Sequence, residues 1–222
     1  MKAFWSLVRR DLLITTRIGG GAELGLVFFL CLVTIVPFAI GPDQNTLARL
    51  APAILWIAAL LATLFGLDRL FQADEDDGTL DHFLLAETPL ELIVLAKCLA
   101  HWLTTGLPLA LMAPLFGLML NLPEKAMLPL VATLLVGTPA ITLMGAMGAA
   151  VTVSLRRGGL LMVVLVMPLI VPTLIFGVGA ASAAITGPVT FGTPFMLLLA
   201  STLLSLIICP FAAAAAIRLV RG

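Results

Sequence analysis

GGLLMVVLVMPLIVPTLIFGVGAASAAITGPVTFGTPFMLLLASTLLSLIICPFAAAAAI, residues 158–217, carries no acid, base or histidine over 60 residues. A helix crosses a hydrocarbon core of roughly 30 Å with about 20 apolar residues, so the run reads as membrane-spanning. As one helix it would be ~90 Å long at ~1.5 Å per residue, so it must fold back on itself. Thr186-Gly187-Pro188 and Gly192-Thr193-Pro194 are the turn signals. The connection between them is uncharged and can dip into the membrane as a re-entrant piece if protein covers its backbone.

Upstream, further charge-free runs occupy 24–40, 50–67, 98–123 (with His101) and 126–155. Together they predict an all-α integral membrane protein with six spans at 22–40, 48–67, 94–120, 127–153, 159–181 and 194–217. Composition agrees: 61% of the 222 residues are hydrophobic and 11% charged, too few charges for a polar shell. The chain reads as one membrane domain, 1–222. The N-terminal charges continue to Arg17, and the first apolar run ends in Val36-Pro37-Phe38 without a small-residue cleavage pattern, so a retained helix is expected. Cys31, Cys98 and Cys209 each lie in an apolar run without metal or haem-attachment spacing and read as packing residues.

Orientation follows from the basic residues. With the N-terminus in the cytoplasm, Lys2, Arg9, Arg10, Arg17, Arg69, Lys97, Arg156, Arg157, Arg218 and Arg221 are inside, and only Arg49 and Lys125 are outside. Both ends are then cytoplasmic. Residues 1–21 read as a basic amphipathic helix on the inner leaflet, with Phe4, Leu7, Val8 and Leu12 at helical spacing and Gly19-Gly20-Gly21 ending it. A plain topogenic flank is the simpler alternative.

Several functions are excluded by what is missing. Net charge is zero, so no basic field invites nucleic acid. No phosphate-cradling G-x-x-x-x-G-K-[ST] loop, nucleophile elbow, zinc-hydrolase or kinase signature is present, and there are only two histidines. The chain is therefore read as non-catalytic, with no metal site. No acid lies mid-span, as ion-coupled transporters usually require. Energy for any transport should enter from another subunit.

Eight of the twelve acids sit in 68–91: Asp68, Asp74, Glu75, Asp76, Asp77, Asp81, Glu87 and Glu91. The predicted topology puts this segment, 68–93, in the cytoplasm. Leu80, Phe83 and Leu84 share one face of a short helix. Asp77 or Thr79 is the expected cap of its first turn. Thr88, Pro89 and Glu91 carry the pattern of a capping box that starts the next helix. A short apolar face among acids suits a groove on a soluble partner, the acids giving steering and register. A solvated loop is the alternative.

The sequence resembles the haem exporter protein B family, the membrane subunit of the cytochrome c maturation ABC transporter. The resemblance rests on LARLAPAILWIAALLATLFGLDRLF (47–71), DGTLDHFLLAETPLELIVLAKCLAHWL (77–103), LLVGTPAITLMGAMGAAVTVSLRRGG (134–159) and PFAAAAAIRL (210–219), in order along nearly the whole chain. Asp81-His82 departs from the pattern, where an acid followed by a more inert polar residue is expected. The resemblance implies a type-2 ABC export permease in a bacterial inner membrane, paired with a separate ATPase subunit that binds the ATP. It implies a coupling role for 68–93. Leu80, Phe83 and Leu84 would be the contacts, Asp76, Asp77, Asp81 and Glu87 would meet basic or helix-terminal groups, and Gly78 would allow the turn. It further implies a haem-handling membrane protein, a small single-span protein, a periplasmic haem chaperone, and a homodimer of this chain among the lipids.

The work of such a complex is haem export or release of the haem-loaded chaperone. The predicted outer surface offers no His, Cys or Tyr as an axial ligand, which favours conformational work over haem ligation by this chain. A permease for lipid, drug or polysaccharide export is a competing reading, separated by its partners. So is a scaffold or channel without an ATPase, which would be indifferent to mutation of the docking helix. His101 and Trp102 read either as a functional polar anchor or as an interhelical contact beside an interfacial tryptophan. Pro108, Pro114, Pro168 and Pro172, Gly145-x-x-Gly148 and the small residues 212–216 suit moving, closely packed helices, or simply reflect membrane-helix composition.

Overall fold

The structure is a computed structural model that describes residues 2–18, 21–155, 158–185 and 190–221. The described residues form ten helices and no strand: α1 (Lys2–Ile18), α2 (Gly21–Ile40), α3 (Gln44–Leu64), α4 (Arg69–Asp76), α5 (Thr79–Leu85), α6 (Leu90–Thr104), α7 (Gly106–Met119), α8 (Glu124–Thr152), α9 (Gly158–Ala183) and α10 (Gly192–Arg221). Six stretches are long and apolar enough to cross a membrane: Glu23–Ile40, Gln44–Asp76, Leu90–Met119, Glu124–Thr152, Gly159–Ala183 and Gly192–Val220. All six expected spans are therefore present, the second starting several residues earlier than read. Asp43 sets that start. Its carboxylate accepts from Asn45 N and Thr46 N at 3.0 and 3.2 Å and from the Thr46 hydroxyl at 2.6 Å, satisfying free donors of the first turn.

The third expected span is two helices. Pro108 has no N–H, and its ring clashes with the carbonyl four residues back, Thr104 O. The chain answers by leaving the helix at Thr105 (φ −120°, ψ −72°). The Thr105 N–H and hydroxyl both donate to His101 O, at 2.9 and 2.7 Å. Gly192-Thr193-Pro194, expected as a turn, is instead the first turn of α10, where proline costs little because no ladder partner is lost. The other turn signal, Thr186-Gly187-Pro188, lies outside the described residues, as do Gly19, Gly20, Arg156 and Arg157.

α8 is the central element and packs against α3, α6, α7, α9 and α10. Glycine makes this approach possible. Trp56 of α3 is fully buried with its ring against Gly137 of α8 and Gly177 of α9, and its Nε1–H donates to Thr133 Oγ1 at 3.2 Å. Gly148 of α8 lies against Val166 and Met162 of α9. Outward faces of α2, α9 and α10 carry exposed Leu30, Val164, Leu204 and Ile207, as lipid-facing helices do.

The middle of α1, the last turn of α10 and the acidic segment meet at one end of the bundle. Arg218 of α10 pairs with Glu91 in the first turn of α6 at 2.9 Å, and Arg10 of α1 reaches Asp74 of α4 at 2.9 Å. α1 does not simply float on a surface. It runs along α6 in the opposite direction, with Asp11 at Lys97, Val8 packed with Ala96 and Ala100, and Phe4 beside Leu99. Trp5, Leu13 and Ile14 face outward.

Candidate functional site

Residues 65–90 leave the long second span and return to the third through two short helices. Gly66 and Gly78 take left-handed backbone (φ +77° and +78°), a region open to glycine at little cost, and so bracket α4 with sharp turns. The Asp77 carboxylate accepts from Thr79 N at 2.8 Å. Hydrogen bonding from Thr79 holds its pKa below the usual carboxylate value. Asp77 thus supports the start of α5, although Gly78 is the residue at the cap. The expected capping box at Thr88 and Glu91 does not form. Pro89 is extended (φ −53°, ψ 132°) and directly precedes α6, which leaves Thr88 one residue too far back.

The side chains singled out in the sequence fall on two sides. Asp76, Asp77, Asp81 and Glu87 are exposed, and Asp76 accepts from Gln72 Nε2 at 3.0 Å. Leu80 and Phe83 point the other way. Leu80 is 0% exposed and Phe83 9%, both packed in the subunit's own core, and Leu84 is half-buried against it. The apolar face expected to meet a partner is covered by this chain's own core. The outward apolar residue is Leu85, 84% exposed beside His82 and Glu87.

Beneath α4 and α5 lies a cluster that the sequence did not announce. Asp74, alone among the acids of this segment, is buried within α4 with Phe71. Its Oδ1 accepts from Arg10 Nη2 at 2.9 Å, and its Oδ2 meets Lys97 Nζ at ion-pair distance without hydrogen-bond alignment. Asp11 closes the ring, with Oδ1 at 2.8 Å from Arg10 Nη2 and Oδ2 at 3.1 Å from Lys97 Nζ. Two cations and two carboxylates balance. The side chains of Asp74 and Lys97 are only 6% and 7% exposed. Burial opposes the Arg10 charge, but Asp11 and Asp74 more than offset it, and its pKa is raised above the ordinary arginine value. The Arg10 guanidinium also lies 5.3 Å from the centre of the Phe83 ring, and Lys97 Nζ 6.0 Å from that of Phe71. Removing one member of such a buried pair costs about 3–5 kcal/mol, since its partner is left charged and unpaired.

His101 and Trp102 join helices. The His101 Nε2–H donates to Thr63 O of α3 at 3.2 Å, and Trp102 Nε1–H donates to Thr138 Oγ1 of α8 at 2.9 Å. Trp102 also walls an apolar cavity of about 290 Å³ with Phe4, Leu99, Leu143 and Leu206. Among the described residues, no three His, Cys, Asp or Glu side chains converge as a metal site.

Comparison with known proteins places this geometry. The family model described as CcmB protein matches residues 2–220. The heme exporter protein B of Bradyrhizobium diazoefficiens is 56% identical over 218 residues, covering 98% of each chain. That of Paracoccus denitrificans is 56% identical over 213 residues, covering 96% of this chain and 97% of the other. That of Escherichia coli K12 is 42% identical over 218 residues, covering 97% and 98%. With six membrane-long helices and full-length likeness to these proteins, this multi-pass integral membrane chain belongs to the CcmB family.

Proposed function

We propose that this chain is the permease subunit of an ABC transporter for c-type cytochrome biogenesis in a bacterial inner membrane. Conformational work driven by a separate ATPase serves haem export or release of the haem-loaded periplasmic chaperone. The observation that carries this reading is likeness along 98% of the chain to a protein named heme exporter protein B. The chain itself is a non-catalytic subunit of type-2 export architecture. Its N- and C-termini lie in the cytoplasm, the orientation that puts ten of its twelve basic residues on that side. It functions as a homodimer with the haem-handling membrane protein, the small single-span protein and the chaperone. ATP stays on the partner, and this chain binds no cofactor of its own.

The acidic helix pair is the docking element for the ATPase. Exposed Asp76, Asp77, Asp81 and Glu87 supply the charge that steers a basic surface, and Leu85 supplies the apolar contact that the buried Leu80 and Phe83 do not. Gly78 sets the turn between α4 and α5, and the core contacts of Leu80, Phe83 and Leu84 fix α5 beneath that surface.

The test is a mild-detergent pull-down from the native host with identification of partners, joined to deletion of the gene. The expected result is recovery of an ABC ATPase together with the haem-handling protein, and loss of c-type cytochromes that a plasmid copy restores. An ATPase without haem proteins, and normal cytochromes in the deletion strain, would replace this reading with export of another substrate. Reporter fusions give the topology: residue 75 should report cytoplasm and residue 125 the opposite side.

A further inference from the structure

The acidic helix pair is joined to the rest of the chain by compliant links. Gly66 precedes α4, Gly78 separates it from α5, and an extended segment leads to α6. A push on α4 and α5 is carried past those turns by side chains: Phe71, Leu80 and Phe83 pack into the core, and the buried ion cluster adds a link to α1 and α6. Arg10 touches both short helices, Asp74 of α4 by charge and Phe83 of α5 by its ring. Lys97 touches α4 twice, at Asp74 and at Phe71. Asp11 binds both cations and so ties α1 to α6. Three parts of the chain far apart in sequence thus share four charges, with Val8, Ala96 and Ala100 forming an apolar contact between α1 and α6 alongside.

α6 itself ends at Thr104 and α7 begins at Gly106; the one residue between them, Thr105, leaves helical geometry while its N–H still bonds His101 O and its carbonyl accepts from Leu109 N. Helices on the two sides of such a break can shift against one another.

We propose that Arg10, Asp11, Asp74 and Lys97 are positioning residues that lock α1, α4–α5 and α6 into one rigid body. That body carries displacement of the acidic helix pair to the Thr105 break. This rests on the ATPase-docking reading above and adds to it the internal route of the movement. α1 is then a moving part of the coupling machinery, and the four residues act through α6 without touching nucleotide or cargo.

The experiment uses the intact complex and two measurements. Asp74→Asn with Lys97→Met removes one charge of each sign, leaving Arg10 and Asp11 paired. This chain should reach the membrane, retain the ATPase and hydrolyse ATP, while the yield of c-type cytochromes falls about tenfold, a size typical of changes along a coupling network. Lys97→Arg, which keeps the cation between Asp11 and Asp74, should retain most of the yield. A structural role alone would lower membrane level, ATPase retention and yield together. Wild-type yield in the neutral pair overturns the proposal.

The second measurement leaves the cluster unaltered and so stands even if the neutral pair fails to fold. Spin labels at exposed Trp5, Ala73 and Leu118 report distances between α1, α4 and α7 with and without a non-hydrolysable ATP analogue. The Trp5–Ala73 separation should stay fixed while Ala73–Leu118 changes. A Trp5–Ala73 change as large as the other, or no change in either, overturns the rigid body. Absence of the ATPase from the unaltered complex removes the docking reading and this proposal with it. ATPase present with an uncoupled α1 removes this proposal alone.

Discussion

Gly106→Ala tests how tightly the two halves of the third span are held to α8. Gly106 is buried at the start of α7, directly after the Thr105 break. A Cβ there would lie 2.5 Å from Trp102 Cδ1 and 2.9 Å from both Trp102 Nε1 and Thr138 Oγ1, where ordinary contact begins near 3.4 Å. The two groups it would strike are the donor and acceptor of the 2.9 Å hydrogen bond that joins α6 to α8. An indole is rigid, so it must swing away as a unit and break that bond. Overpacking of this kind costs about 1–3 kcal/mol, and an interhelical hydrogen bond in a membrane contributes about 0.6 kcal/mol on average. Against this stands the gain of about 0.5–1 kcal/mol from replacing glycine in a helix. Gly179→Ala in α9 is the control, because its Cβ would meet only Pro194 Cβ at 3.8 Å and would still receive that gain. The difference between the two variants should therefore be about 1.5–3.5 kcal/mol, the sum of the packing and hydrogen-bond terms. The assay is SDS-driven unfolding of purified protein in mixed micelles, followed by far-UV circular dichroism. In a Trp102→Leu background Gly106→Ala should cost much less than in the wild-type protein, since two of the three close contacts, including the closest at 2.5 Å, are with the ring. Gly106→Ala as stable as Gly179→Ala would refute the reasoning.

Leu80→Asp and Leu85→Asp should separate the two faces of α5. At 0% exposed, Leu80 as a carboxylate would lose about 4 kcal/mol or more and reduce the chain recovered in membranes, whereas Leu85→Asp should insert normally and lose the ATPase in a pull-down. Asp43 should show a pH signature in thermal unfolding. Hydrogen bonds from Thr46 lower its folded pKa below the ordinary 3.8, so its contribution is present above that value and lost as pH falls through the lowered one. The gap in melting temperature between the wild-type protein and Asp43→Ala should hold from neutral pH to about pH 5 and close as pH falls through the lowered pKa. His101→Gln should mature c-type cytochromes normally, because a glutamine amide can also donate to Thr63 O; loss of maturation would give His101 a role beyond joining α6 to α3.

The spans were legible because lipid asks one question of a sequence, whether about 20 consecutive residues are apolar, and answers it locally. The break at Thr105 also had a local sign, Pro108, whose effect on the carbonyl of Thr104 follows from proline geometry alone. Which residues cover an apolar helix face is not local. The pattern at Leu80, Phe83 and Leu84 establishes a face, yet nothing in it distinguishes a partner's groove from the subunit's own core. α1 is the same case: its apolar stripe fits lipid, and part of it packs on α6 instead. The ion cluster was least legible, since Arg10 and Asp74 are 64 positions apart and Asp11 and Lys97 are 86. Two residues did give a sign. Asp11 is the one acid among the basic residues of the N-terminal helix, and Lys97 is a lone cation among apolar residues entering a span. A charge in such a place needs a partner.

The acids gathered in 68–91 therefore do not share one purpose. If they served only to keep the segment in water, none would be withdrawn from it, yet the Asp74 side chain is 6% exposed and its partner Lys97 7%. Asp77 hydrogen-bonds the first turn of α5, and Glu91 ties α6 to Arg218 at the end of α10. Asp76, Asp81 and Glu87 stay at the surface. The two groups differ in how far their charge reaches. At physiological ionic strength exposed acids act over about 8 Å and weaken with salt, whereas a buried pair is screened much less. A segment that must meet a soluble partner and also transmit force into a membrane needs both kinds, a salt-sensitive surface to find the partner and a salt-resistant joint beneath it. Asp74 is buried in α4 and Asp76, two residues on, faces solvent, so on the docking reading proposed above one short helix would carry both kinds of charge.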